Sequence, residues 1–372
     1  MTKRLFLSVP LISIFFSFAQ ARTTDFEDLQ ALNAAAIQAQ GLDAAALPAD
    51  KSWGVSYSLT GVLAIHEERV LLNSPDGRVF QLDLSVRGAR KFNGLSVRVE
   101  AKAKQADDMS VLKVVKVAVY NPAAEIKLPP YQPDRRRAQV LSDSPDALTV
   151  GNVRWLYGST PKKDSFDWAT ARIRPELVKE VYFVKKPFPP EWLAAHSLLA
   201  FTFAKGGLTD ADGNEASALT LSIEAFLRDG QEYGLVDGLK NKFGIVWLLT
   251  TWEDYAARSA LMDKARLIPY AVKNLSHAQK VQLLRESVKL AAVNREGEYY
   301  HTITNNCTNN LIIVINRVLP EAQRITMWTI PYLAYNLRAT MPVWVPKYLQ
   351  GKGLLGPELG EVNASNYRNP LP

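Results

Sequence analysis

The sequence predicts an α+β protein in two parts, a small all-β barrel followed by a larger mixed domain. Three observations carry that expectation. Short runs that alternate apolar and polar residues fill positions 56–120, a proline-rich stretch follows, and beyond it strand-like runs are interleaved with longer helical periodicities. At 372 residues the chain is long enough for two cores.

The first element is an export signal. Met1-Thr-Lys-Arg4 supplies a charged start, Leu5 to Phe18 an apolar run too short to span a bilayer comfortably, and Ala19-Gln-Ala21 small residues at the cleavage positions. Cleavage near Ala21 and a periplasmic or secreted protein are expected. No cysteine stands near that point, so a lipid anchor of the bacterial lipoprotein kind is excluded there and a soluble mature protein is expected. Residues 22–50, rich in Ala and Gln, read as a helical or linker segment.

Residues 51–121 read as an OB-like β-barrel. Its five strands lie in Ser56–Ala64, Arg69–Asn73, Val79–Leu84, Ser96–Lys102 and Val111–Tyr120, separated by turn chemistry such as Ser74-Pro-Asp-Gly77 and Asn93-Gly94. No strand face interleaves aromatic with basic residues, which argues against nucleic acid and for an accessory or docking module. Residues 122–149 read as a Pro-rich linker, because Leu128-Pro-Pro-Tyr-Gln-Pro133 lacks the amide donors a sheet needs.

Residues 150–355 read as the α+β domain. Strands are expected at 181–184, 198–203, 219–226 and 244–249, with helices at 253–262, 276–292 and 308–319. The polar residues 356–372 read as a C-terminal tail. The aromatic, proline-broken stretch Met327 to Leu355 reads either as the core of a terminal extension or as a lip facing lipid or substrate.

The formal charge of +7 becomes +5 when Lys3 and Arg4 leave with the signal, which does not indicate a nucleic-acid partner. Arg135-Arg136-Arg137 reads as a solvated segment, with a hold on anionic lipid headgroups as the sharper reading. Asp210-Ala-Asp-Gly-Asn214 spaces its oxygens as a calcium loop would, but Glu215 stands where such a loop needs Gly, so an ordinary hairpin turn is expected and neither metal nor cofactor.

A single cysteine, Cys307, cannot form an intramolecular disulfide, so it is either inert or functional. It stands in Tyr299-Tyr-His-Thr-Ile-Thr-Asn-Asn-Cys307-Thr, directly before an apolar periodic run that Pro320 ends. Asn305 and Asn306 can cap a helix there, and a thiol at a helix N-terminus is biased toward the thiolate nucleophile. Of four histidines, His66 lies in the barrel, His277 opens a helix, and His301 lies six residues from the thiol as second choice. His196 begins the strand Ala195–Phe203. If its hairpin pivots near Asp210, Glu224 on the returning strand falls opposite His196 and can orient the imidazole, completing a Cys/His/carboxylate set.

These pieces resemble the Lnb N-terminal periplasmic domain family over about residues 195–355: His196 with its strand, Ser222-Ile-Glu224, Gly230-Gln-Glu-Tyr233, Asp254 with Arg258, Leu267-Ile-Pro-Tyr270, and Tyr299/Tyr300 leading into Asn305-Asn-Cys-Thr308. The resemblance implies a permuted papain-like thiol domain in which the histidine strand precedes the cysteine helix. It implies Cys307 as nucleophile, His196 as base and Glu224 as orienter, with Asn306 and Asn305 at the oxyanion or cap and His301, Tyr300 and Tyr233 lining the substrate.

The activity so implied is a periplasmic thiol acyltransferase or hydrolase acting on a lipid or lipoprotein acyl group. Two rivals stand beside it: a cell-wall peptidase or amidase cutting peptidoglycan peptides, and a non-catalytic binding protein that docks through the barrel. Peripheral membrane contact and a monomeric state are expected.

Overall fold

The computed structural model describes residues 55–371 apart from 106, 107, 126 and 331–333. The export signal and the segment 22–50 therefore lie outside the described residues.

The N-terminal part is built from β1 (Ser56–His66), β2 (Arg69–Asn73), β3 (Val79–Asp83), the short helix α1 (Val86–Ala89), β4 (Ser96–Gln105) and β5 (Asp108–Val119). The strands close on themselves in the order β1-β2-β3-β5-β4, with β3 and β5 parallel and the other pairs antiparallel. Alternation explains the closure, since Tyr57, Leu59, Leu63, Val70, Leu72, Phe80, Leu82, Val97, Val99 and Leu112 all turn inward to one core.

The remaining described residues form a mixed α+β unit around one large sheet. Its strands are β6 (Gln139–Asp143), β7 (Leu148–Trp155), β8 (Asp167–Ile173), β9 (Val178–Pro187), β10 (Ala195–Phe203), β11 (Leu208–Asp210), β12 (Ala218–Phe226), β13 (Phe243–Thr251), β14 (Ile268–Val272), β15 (Tyr299–Tyr300) and, after the small β16–β17 pair (Trp328–Ile330, Ala334–Tyr335), β18 (Leu355–Glu358). The spatial order is β11-β8-β7-β13-β12-β10-β9-β14-β18, with β6 on β7 and β15 on β13. Six helices accompany it among the described residues: α2 (Leu235–Leu239), α3 (Trp252–Leu261), α4 (His277–Ala292), α5 (Cys307–Asn316), α6 (Leu337–Thr340) and α7 (Val345–Gly351). Helices α4 and α5 cover one face, in contact with Phe183, Leu199, Leu221, Trp247 and Leu249, while α3 packs on the other with Tyr182, Val184, Leu198 and Ala200.

Two sequence expectations change here. Residues 122–149 are not all linker: β6 and the start of β7 lie inside that segment and pair with each other. The prolines stop at Pro133 and Pro145, which leaves Gln139–Asp143 free to donate to a sheet. The C-terminal residues are not a free tail. Strand β18 pairs with β14, and Val362, Tyr367 and Leu371 are buried beside Trp252 and Leu267, so three apolar residues spaced through a polar segment anchor it. Strands β7 and β8 were not legible, because Gly151 and Asn152 and then Thr170 and Arg172 interrupt their apolar runs.

The barrel touches the loop that leads to Cys307. Ser58 N–H donates to the Gly297 carbonyl (2.8 Å), Tyr57 bridges to Glu298, and the barrel's Arg78 donates to the carbonyls of Asn294 and Glu296. Gly297 has φ +82°, and a Cβ there would stand 2.5 Å from the Ser58 carbonyl oxygen, so only glycine allows this approach.

Candidate active site

Helix α5 begins at Cys307 because Asn306 caps it. The Asn306 side-chain oxygen accepts from the N–H groups of Thr308 (2.8 Å) and Asn309 (3.0 Å), and the Asn309 side-chain oxygen accepts from the Asn306 N–H (2.7 Å). This reciprocal cap satisfies donors that a helix start leaves open and holds the thiol at the positive end of the helix. Cys307 is buried.

His196 comes from the neighbouring strand. Strand β10 pairs with β12 with Leu198 opposite Ser222, a register that, continued by two residues, brings His196 level with Glu224. The contact falls two positions before the one the sequence suggests. Ser222, not Glu224, touches the imidazole: His196 Nε2 lies 2.7 Å from Ser222 Oγ, and Ser222 Oγ in turn donates to Glu224 Oε1 at 2.8 Å. A hydroxyl carries one proton, and Ser222 gives it to the carboxylate, so it must accept from His196 Nε2–H. That tautomer leaves the Nδ1 lone pair as the basic nitrogen available to the thiol.

Burial pushes the Cys307 thiol up, but the neighbouring His196 charge and hydrogen bond, the Ser197 backbone and the Thr308 hydroxyl together hold it below an ordinary cysteine. Thr308 Oγ1 lies 3.7 Å from the sulfur and donates to Ser197 Oγ (3.1 Å).

Glu224 is held by Arg135, which the sequence reading placed in solvent. Arg135 Nε donates to Glu224 Oε2 at 2.5 Å and its Nη1 lies 2.7 Å from Asp134. Burial opposes ionisation of Glu224, yet Arg135, His196 and Arg154 keep its carboxyl far below the usual range. Arg135 is therefore partly buried in a charge layer, whereas Arg136 and Arg137 are exposed as expected. The layer continues: Arg154 Nε donates to Asp254 (2.6 Å) and its Nη1 to the Asp134 carbonyl (2.7 Å), while Arg258 Nε donates to the other Asp254 oxygen (2.8 Å). Asp254 is fully buried, so its paired guanidiniums are what make its charge tolerable.

The asparagines hold the loop and do not point donors at the thiol. Asn305 Nδ2 donates to Glu298 and to the Tyr299 carbonyl, and Asn306 Nδ2 to the carbonyls of Thr302 and Thr340, so both amides spend their protons on structure. Tyr300 lies beside Cys307. Its hydroxyl meets the Cys307 backbone N–H, and burial first, then the charge on Cys307 and the contact with Tyr233, raise it well above an ordinary tyrosine, so it keeps its proton. Tyr233 packs edge-on against Tyr300, with ring centroids 5.9 Å apart.

His301 turns away from the sulfur: its Nδ1 accepts from the Thr304 N–H (3.1 Å) and lies near the Ile303 N–H (3.3 Å), and burial and Lys102 of the barrel hold its pKa down. His66 and His277 lie elsewhere, on β1 and at the start of α4. The Asp210 turn is a hairpin turn. Its carboxylate accepts from the N–H groups of Asp212 and Asn214, the Asn214 side chain and the Tyr157 hydroxyl.

A cavity of about 300 Å³ opens over His196, Tyr300 and Asn306. Phe188, Leu193, Leu227, Leu235 and Met341 give it an apolar wall, and the pairs Lys186–Asp263 and Arg135–Glu224 its charged lining.

Ser222, Arg135 and Arg154 are the neighbours of the site that sequence reasoning missed as partners. Only Ser222-Ile-Glu224, two polar residues at strand spacing on the face of His196, carried a signal that could have found one of them.

Residues 165–337 match the family model of the Lnb N-terminal periplasmic domain, and residues 60–119 match a family described as a protein of unknown function (DUF5818). Neither a curated protein nor a solved structure matches the chain. The first match contains His196, Ser222, Glu224, Tyr300 and Cys307, and its description supports a periplasmic location. The part of this chain that brings the cysteine helix to the histidine strand thus belongs to the Lnb N-terminal periplasmic domain family.

Proposed function

We propose that the chain is a periplasmic cysteine acyltransferase or hydrolase that takes an acyl group from a lipid or lipoprotein through Cys307 and His196. The observation that carries the proposal is the capped helix start at Cys307 beside a histidine whose other ring nitrogen is committed to Ser222. A structural cysteine has no need of that pairing. The order of histidine strand before cysteine helix supports a permuted papain-like arrangement, and the order β1-β2-β3-β5-β4 with α1 between β3 and β4 supports an OB-like reading of the barrel.

In the mechanism proposed, His196 Nδ1 takes the thiol proton and the sulfur attacks the acyl carbonyl carbon. The carbonyl π pair moves to oxygen, and the oxyanion is received by the Tyr300 hydroxyl and the Cys307 N–H; at rest that N–H donates to the Tyr300 oxygen and the Tyr300 hydroxyl donates to Tyr233. When the tetrahedral adduct collapses, the imidazolium protonates the departing alcohol or amine and an S-acyl enzyme remains. Water or an amine then attacks, His196 again serving as base, and releases acid or amide with the thiol restored. Glu224 acts through Ser222 as a positioning residue. The apolar wall of the cavity favours an acyl chain over a peptide.

The test is alkylation of Cys307 by iodoacetamide across pH, followed by mass measurement of Cys307 after incubation with membranes. The lowered thiol is expected to react below the ordinary cysteine value of about 8.5, and His196→Ala, which removes two lowering causes and leaves burial, is expected to move the profile upward. An acyl mass on Cys307 is expected with membranes, and none with Cys307→Ala. Release of peptides from peptidoglycan with no acyl mass would favour the amidase, and an ordinary alkylation profile would favour the binding protein.

A further inference from the structure

Three segments that wall the cavity also carry exposed apolar side chains at their tips. The β9–β10 loop supplies Phe188 and Leu193 to the cavity and leaves Trp192 between them 75 % exposed. Helix α2 supplies Leu235 and leaves Val236 62 % exposed, with Leu239 outward one turn on. The stretch from α6 to α7 supplies Met341 and Pro342 and leaves Leu337 and Trp344 outward. Large apolar side chains held in water around one opening mark an interaction surface, whereas scattered ones do not.

The charge on the same segments is one-sided. Residues 188–193, 235–242 and 337–352 hold five cations, Lys240, Lys242, Arg338, Lys347 and Lys352, against two acids, Glu191 and Asp237. Both acids are already paired, Glu191 with Arg266 and Asp237 with Lys242. Lys240, Arg338 and Lys347 have no ion pair among the described residues, and Arg338 and Lys347 line a second groove with Trp344 and Tyr348.

We infer that this rim is a docking surface for the face of a bilayer carrying anionic headgroups, with Trp192, Val236, Leu337 and Trp344 entering the headgroup boundary and the free cations meeting phosphate. Tryptophan suits that boundary, and lysine and arginine beside it add attraction to anionic lipid. The cavity mouth then faces the membrane, so an acyl chain reaches His196 and Cys307 along the apolar wall without crossing water. The inference rests on the lipid reading of the site. No described helix is long and apolar enough to cross a membrane.

The experiment is flotation of the full mature chain with phosphatidylcholine vesicles, with and without about a third phosphatidylglycerol. Wild type is expected to float with the anionic vesicles, and Trp192→Ala/Trp344→Ala and Arg338→Glu/Lys347→Glu each to weaken binding about tenfold or more. Cys307→Ala is expected to float as wild type. Acylation of Cys307 by a water-soluble short-chain ester should be unchanged in the rim variants, which separates failure of the rim from failure of the thiol chemistry. Trp192→Cys in the Cys307→Ala background, labelled with an environment-sensitive dye, should shift to the blue on anionic vesicles. Equal flotation of wild type and rim variants, or a self-association that vesicles do not perturb, would overturn the docking surface.

Discussion

The barrel and the large sheet solve the same packing problem with opposite chemistry. Among the described residues, the barrel interior is apolar throughout, from Val55 through Leu63, Leu72, Phe80 and Val99 to Leu112. The buried polar and charged side chains all lie beyond it, among them Arg154, Ser197, Ser222, Asp254, Asn306 and Thr308. A buried polar group stabilises nothing unless its partners are in place, and a buried charge is costlier still. The difference teaches where the protein accepts that cost. It falls on the layer that begins at the Cys307 cap, runs through His196, Ser222 and Glu224, and ends on Arg135, Arg154 and Asp254.

The sharpest way to break the contrast is one deletion in each region. Asp254→Ala strands Arg154 and Arg258 without their carboxylate and is expected to destabilise the sheet unit by about 3–5 kcal/mol, read by urea unfolding. Leu63→Ala in the barrel is expected to cost about 2–5 kcal/mol through its cavity while leaving the pH profile of Cys307 alkylation in place. If Leu63→Ala moved that profile as far as His196→Ala does, the two regions would not be separable, and the brace of Ser58 and Tyr57 on residues 297–298 would have to be counted as part of the site.

A smaller effect tests Tyr300 against the asparagines. Tyr300→Phe removes the hydroxyl that meets the Cys307 N–H and is expected to lower kcat about 100-fold, with alkylation of Cys307 retained. Equal loss in alkylation and turnover would make Tyr300 a structural support for the thiolate instead.

The smallest effect belongs to the serine relay. Ser222→Ala takes one neutral hydrogen bond from His196 and is expected to slow turnover about 3- to 10-fold. Ser222→Thr keeps the hydroxyl and should restore most of it. A loss as large as that of His196→Ala would mean that Ser222 does more than hold the ring.

Much of the fold was legible because alternation and turn chemistry are local. Asn93-Gly94, Ser74-Pro-Asp-Gly77 and the Asp210 turn each lie where the structure bends, and the strand Ala195–Phe203 has the bounds that its pattern suggested. What was illegible came from segments whose local pattern is weak. Gln139–Asp143 is exposed along its whole length, so no alternation marks it, and it is a strand only because β7 offers it an edge. Val362, Tyr367 and Leu371 sit in a polar stretch with no period, and only the sheet beneath them shows that they are buried.

The site divides in the same way. By itself the sequence determined the cysteine at a helix start, since Asn306 and the apolar run after it specify a cap within a few residues, and it placed His196 on a strand that returns past Glu224. Only the tertiary structure decided that Ser222 stands between histidine and carboxylate, that Arg135 leaves its basic run to neutralise Glu224, and that the Tyr300 hydroxyl meets the Cys307 backbone. The physical reason is range. A cap is set by dihedrals and hydrogen bonds over three or four residues. A buried charge pair such as Arg135–Glu224, 89 positions apart, has no local signature and exists only once the sheet has brought both groups out of water together.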